Sequence, residues 1–84
     1  MDQNKIIDRI QEALLDGMEA VNNDGIDIRT RILNAEYALG KYAAFMEVLE
    51  NTDLSVFCAL HEAAKDCIGH IMDFIDINQY RKAG

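Results

Sequence analysis

Apolar side chains recur every three or four residues along most of the chain, the spacing that gathers them on one face of an α-helix. Three segments carry this pattern, at about residues 3–21, 27–51 and 54–78. Residues 22–25 read Asn-Asn-Asp-Gly, types that tolerate the left-handed conformation that commonly ends a helix. The second break, near residues 51–53, is so short that the second and third helices are predicted to form an antiparallel hairpin.

The first segment has an apolar face and, on another side of the helix, an acidic strip. The apolar face consists of Ile6, Ile7, Ile10, Ala13, Leu14, Gly17, Met18 and Val21, and the acidic strip of Asp8, Glu12, Asp16 and Glu19. Glycine costs about 1 kcal/mol relative to alanine inside a helix, and close approach of a neighbouring helix would explain it here. We therefore expect a helix crossing at Gly17. Asp27 is expected to cap the second helix, and Thr52 or Asp53 the third.

The second segment carries two apolar stripes on opposite sides of one helix. The first consists of Ile28, Ile32, Ala35, Leu39, Tyr42, Ala43, Met46 and Leu49. The second consists of Leu33, Tyr37, Ala44 and Val48, bordered by Gly40. A helix that is apolar on two sides is usually packed on two sides. We expect the first stripe to face the core and the second to contact another copy of the chain in a homodimer. In the alternative, helix 1 covers the second stripe within a monomer.

The third segment has an apolar face wide enough to contact two neighbouring helices. Its members are Val56, Phe57, Leu60, Ala63, Ala64, Cys67, Ile68, Ile71, Met72, Phe74 and Ile75. The three segments predict an all-α fold of one domain spanning residues 1–84, as a three-helix antiparallel bundle (up-down-up) or a helical hairpin with the N-terminal helix laid across it. A further possibility is a hairpin of helices 2 and 3 that completes its core only by dimerising.

Composition supports a folded helical chain and narrows its partners. Half of the 84 residues are hydrophobic and none is proline, as expected of a small helical domain that oligomerisation would stabilise. The net charge of −7 repels phosphates, so no direct nucleic-acid binding is expected. No apolar run is long enough to span a membrane, and charged residues rather than a signal sequence follow Met1. With 2 cysteines that show no disulfide-framework spacing, we expect a cytoplasmic protein.

Helix 3 carries the side chains that come nearest to a metal site. Glu62, Asp66, His70 and Asp73 follow one another at steps of four, four and three residues, within about a quarter-turn of the helix. The strip faces away from the apolar face, and helix 2 contributes no histidine. A solvated surface is therefore the preferred interpretation, and a divalent-metal site is the alternative.

Two further patterns give no site. Cys58-x-x-His61 and Cys67-x-x-His70 are nine residues apart, hence on opposite sides of the helix, and cannot hold one ion together. No hydroxyl lies at helical spacing from a histidine that could serve as its base; the hydroxyls considered are Thr30, Thr52 and Ser55. A glycine-rich phosphate loop is also missing from the sequence. We predict neither catalytic residues nor a cofactor.

These observations favour a small acidic, non-enzymatic protein that presents helix surfaces to itself and to an unidentified protein partner. Two alternatives stay open. One is a divalent-metal-binding protein or metal-dependent enzyme that uses the carboxylate and histidine strip of helix 3. The other is an acidic mimic of nucleic acid, in which the strip on helix 1 imitates phosphates for a basic protein partner.

Overall fold

A computed structural model of the protein describes residues 2–83, and their side chains as far as residue 79. The described residues form three helices and no strand: α1 (Gln3–Asn22), α2 (Ile28–Thr52) and α3 (Leu54–Ala83). The predicted all-α fold is confirmed. The last helix is longer than the apolar pattern indicated, since it continues to Ala83 instead of ending near residue 78.

Each helix begins at an aspartate whose carboxylate accepts a hydrogen bond from a backbone amide of the first turn. Asp2 accepts from the Asn4 amide at 3.1 Å, Asp27 from the Arg29 amide at 3.0 Å, and Asp53 from the Val56 amide at 3.2 Å. These bonds satisfy amides that have no partner within the helix. Asp27 and Asp53 are therefore the caps, while Thr52 is the last residue of α2.

The core consists of two clusters, one near each end of the molecule. In the first, the start of α1 meets the end of α2 and the start of α3; its members are Ile6, Ile10, Met46 and Leu49, with Val56, Phe57 and Leu60 packed against them. In the second, the end of α1 meets the start of α2 and the later part of α3; its buried members are Ala20, Ile32, Ala35, Ile71 and Ile75. Since α1 and α3 run in one direction and α2 in the other, the fold is an up-down-up three-helix bundle, measuring 43 × 19 × 16 Å.

Gly17 lies where α1 contacts both α2 and α3. A Cβ atom built on Gly17 would lie 2.5 Å from Cδ1 of Ile71 in α3 and 3.5 Å from Cβ of Ala38 in α2. The residue is buried, and its backbone dihedrals are ordinary for a helix. Glycine is required at this position because there is no room for a Cβ atom, and not because of the backbone conformation. This agrees with the helix crossing expected at Gly17.

The buried faces differ from the predicted faces at their margins. Four predicted core residues are exposed instead: Ile28, Ala43, Ala63 and Met72. Ala20 and Ala38, which the pattern left out, are buried at 4% and 1% exposure. Each helix contacts its two neighbours over a limited arc, and both alanines lie within it, where a small side chain is covered completely. Ile28 is the first residue of α2, and Met72 lies at the edge of its apolar face, so neither is covered.

Candidate interaction surface

An apolar surface runs along the side of α2 that faces away from the bundle. We call it the α2 stripe; it consists of Leu33, Tyr37, Gly40, Ala44 and Val48, all exposed. The three large side chains are 60% (Leu33), 69% (Tyr37) and 45% (Val48) exposed. Both α1 and α3 pack against the opposite side of α2, through residues such as Ala35. The alternative in which helix 1 covers this stripe is therefore wrong.

The ring of Tyr37 lies beside an ion pair between two helices. Lys41, one turn further along α2, places its Nζ atom 5.2 Å from the centre of the Tyr37 ring. The same Nζ atom lies 3.0 Å from Oδ2 of Asp16 in α1. A partly exposed ion pair adds only about 0.2–1 kcal/mol to stability. The ammonium also makes a cation–π contact with the ring, which at an exposed site is worth about 0.5–1 kcal/mol.

Gly40 has no role in the packing of its own chain. A Cβ atom built on this residue meets no heavy atom within 4 Å among the described residues, and its φ angle is not positive. Glycine in a helix interior costs about 1 kcal/mol relative to alanine. At Gly17 the fold explains that cost; at Gly40 it does not. A Cβ atom built on Gly69 likewise meets no heavy atom within 4 Å in the described range, but its neighbours one turn away are Lys65, Asp66, Met72 and Asp73, of which only Met72 is apolar.

A shallow groove of about 230 Å³ lies beside the stripe, between α1 and α2. Its lining consists of Asp16, Glu19, Ala20, Asn23, Ile26, Asn34, Tyr37 and Lys41. Carboxylates, amides and one ammonium dominate this set, and it contains neither a histidine nor a Ser, Thr or Cys nucleophile. The groove supplies a polar margin to the α2 stripe on its α1 side.

The carboxylate and histidine strip of α3 is not assembled into a metal centre. Glu62, Asp66, His70 and Asp73 are all exposed on that helix. Nowhere in the described part of the chain are three or more His, Cys, Asp or Glu side chains placed so that they could hold one metal ion. Glu62 instead lies 3.8 Å from the Nζ atom of Lys65.

The two cysteines lie in different surroundings on α3. Cys58 is exposed, whereas Cys67 is half-buried against the second core cluster. Burial raises the pKa of the Cys67 thiol because it disfavours the thiolate. Burial also raises the pKa of Tyr42, with a smaller contribution from the charge of Cys67.

The His61 ring stacks on Phe57, with ring centres 6.0 Å apart.

Half of the acidic strip on α1 is already paired with cations of the same chain. Asp16 binds Lys41, and Glu12 lies 3.1 Å from Arg9. Asp8 and Glu19 are exposed. The strip therefore presents less negative charge than its four carboxylates suggested.

Arg31 has a structural role that the sequence pattern did not indicate. From the first turns of α2, its Nε atom donates to the Ala20 carbonyl at 2.9 Å and its Nη2 atom to the Val21 carbonyl. The guanidinium also lies 5.0 Å from the centre of the Phe74 ring in α3. Its side chain is only 13% exposed. The sequence contains one indication of this role. The last turn of α1 has no basic residue of its own, and a cation there would stabilise the free carbonyls.

Within the part of the chain that the structure describes, no helix has a segment long and apolar enough to cross a lipid bilayer. Comparison of the chain with models of known protein families, with curated proteins and with solved structures gave no match.

Proposed function

We propose that the protein is a small, non-enzymatic interaction module that forms a homodimer through the α2 stripe. The observation that supports this most directly is the exposure of Leu33, Tyr37 and Val48 on one face of α2, opposite the core. Contiguous exposed apolar patches in small domains commonly mark protein contacts. A two-fold dimer is the commonest closed arrangement, and it buries the same patch on both copies.

The size of the stripe sets the strength expected of the dimer. The stripe extends from Leu33 to Val48, roughly 24 Å of helix, and a contact strip about 10 Å wide gives roughly 240 Å² per copy. Stable complexes bury about 800 Å² per partner. The dimer should therefore be weak and form reversibly at high protein concentration, with Tyr37 as its aromatic anchor. A reversible dimer also leaves the stripe open to a different protein with an apolar surface, and we include such a partner in the proposal.

The free thiols bear on where the module acts. Cys58 and Cys67 are not joined in a disulfide, and Cys58 is exposed. Exposed free thiols persist in a reducing compartment. The cytoplasm is therefore the setting that we propose.

Sedimentation equilibrium over a range from low to hundreds of micromolar protein tests the proposal. The unaltered chain should shift from monomer to dimer mass, while Tyr37→Glu and Val48→Glu should stay monomeric and keep the helical circular dichroism of the parent. Leu15→Glu is the matched control, because Leu15 is 70% exposed but lies on α1. A monomer mass at every concentration would contradict the proposal, and loss of the dimer in Leu15→Glu would place the contact elsewhere.

A further inference from the structure

We infer that the two copies pack α2 against α2 in antiparallel orientation, with the two-fold axis between Gly40 and Lys41. The inference rests on the proposed function, since it assigns a geometry to that dimer. It follows from three features of the stripe: its spacing, its central glycine and the charge beside that glycine.

The spacing of the stripe is the same in both directions along the helix. From Leu33 to Tyr37, Ala44 and Val48, the steps are four, seven and four residues. Turning a second copy end to end therefore places Leu33 opposite Val48, and Tyr37 opposite Ala44. The ring of each Tyr37 then meets a small side chain. In a parallel pair, Tyr37 would face Tyr37 and Ala44 would face Ala44, which holds the helices apart at one level and leaves a gap at the other.

Gly40 lies at the midpoint of this arrangement. Its missing side chain serves no purpose within the chain, because a Cβ atom there would meet open space among the described residues. At the axis, the absence of a side chain on both copies allows the two backbones to approach closely. The glycine that the monomer fold leaves unexplained is thus explained by the antiparallel dimer.

Lys41 lies on the other side of the axis, where two ammonium groups of a dimer come near each other. Each one already has a carboxylate partner, since Lys41 Nζ lies 3.0 Å from Asp16 Oδ2. Each pair carries no net charge, so the two pairs repel each other less than two unpaired ammonium groups would. Charge at the axis is compatible with the contact.

Disulfide trapping tests the register. In a background of Cys58→Ala and Cys67→Ala, a mixture of Leu33→Cys and Val48→Cys chains should form disulfide dimers roughly tenfold faster than either variant alone, because the bond requires Cβ atoms within about 4 Å of each other. The slow reference reactions are Leu33→Cys alone and Val48→Cys alone. Trapping that is faster in the single variants than in the mixture would show a parallel pair and overturn the inference.

Sedimentation of the Cys58→Ala, Cys67→Ala background separates this inference from the proposed function. If the background chain is a monomer at all concentrations, both fail. If it is a dimer but the mixture gives no more disulfide than the single variants, the antiparallel register alone fails. Gly40→Ala gives a second measurement: it should stabilise the isolated monomer and weaken the dimer several-fold. Unchanged dimerisation in Gly40→Ala would contradict close approach at the axis.

Discussion

The side chain of Ile71 occupies the space that a Cβ atom on Gly17 would require. Its Cδ1 atom would lie 2.5 Å from that Cβ atom, and its Cγ1 atom 3.4 Å away. Ile71 is only 1% exposed, so the surrounding core restricts its movement to another rotamer. The contact between α1 and α3 thus depends on the absence of a side chain at Gly17, where the δ-methyl group of Ile71 lies.

Gly17→Ala should lower the free energy of unfolding even though alanine is the better helix former. Overpacking a core costs about 1–3 kcal/mol, whereas the gain in helix propensity is about 1 kcal/mol, so the expected net loss is about 1 kcal/mol. Urea unfolding followed by circular dichroism measures it.

Ile71→Val is the matched change, because it removes the Cδ1 atom that Gly17→Ala would displace. Alone it should cost about 0.5–1.5 kcal/mol. Combined with Gly17→Ala it should cost less than the sum of the two, by at least about 0.5 kcal/mol. Strict additivity would show that the added methyl group is accommodated somewhere else.

Gly40→Ala should have the opposite effect on the monomer. Nothing within 4 Å among the described residues obstructs the new methyl group. The free energy of unfolding should rise by about 1 kcal/mol, and the melting temperature by about 4–8 °C, at concentrations where the chain is monomeric. A decrease in stability at low concentration would mean that the α2 backbone is not open at this position.

Arg31→Met should destabilise the bundle by about 2 kcal/mol, because it keeps an apolar side chain but removes the charged donors to two carbonyls. Those carbonyls belong to Ala20 and Val21 at the end of α1. Arg29→Met is the control: Arg29 is exposed on the same helix, and the change should stay within about 0.5 kcal/mol. Equal losses in the two variants would exclude a specific role for Arg31.

The two thiols should react with a disulfide reagent at different rates. Cys58 is exposed and should react at once, whereas the half-buried Cys67, whose pKa is raised by burial, should react slowly. Cys67→Ser should abolish the slow phase and Cys58→Ser the fast one. A single fast phase for both thiols would contradict the placement of Cys67 against the core.

The same burial predicts a loss of stability in alkali. The thiol of Cys67 keeps its proton to higher pH in the folded chain than in the unfolded chain. Between the two pKa values the unfolded state has lost a proton that the folded state retains, so the free energy of unfolding falls as pH rises. Stability should be intact below the ordinary thiol pKa of about 8.5 and decrease above it. Cys67→Ala should make this decrease smaller.

Periodicity predicted the elements and the central residues of their faces, because a helix repeats its environment every three or four positions. It therefore located Gly17 and the α2 stripe. It did not predict how wide an arc each helix buries, since that depends on where the neighbours cross, and Met72 and Ala38 were misassigned for this reason. Periodicity also did not predict the structural role of Arg31. The main partners of Arg31 are backbone carbonyls of α1, which every residue has, so the sequence pattern does not mark them. Periodicity marked the α2 stripe as apolar, but it does not distinguish a stripe covered by a second copy from one that is exposed in a monomer.

The contact of Arg31 with the end of α1 also has a consequence for the order of folding. Arg31 and Ala20 are 11 positions apart, so bringing the start of α2 against the end of α1 costs little chain entropy. In the first core cluster, by contrast, Ile6 packs with Met46 and Leu49, which are 40 and 43 positions away along the chain. The contact between the end of α1 and the start of α2 should therefore belong to the folding nucleus. Arg31→Met should slow refolding, while Ile6→Ala should act mainly by accelerating unfolding.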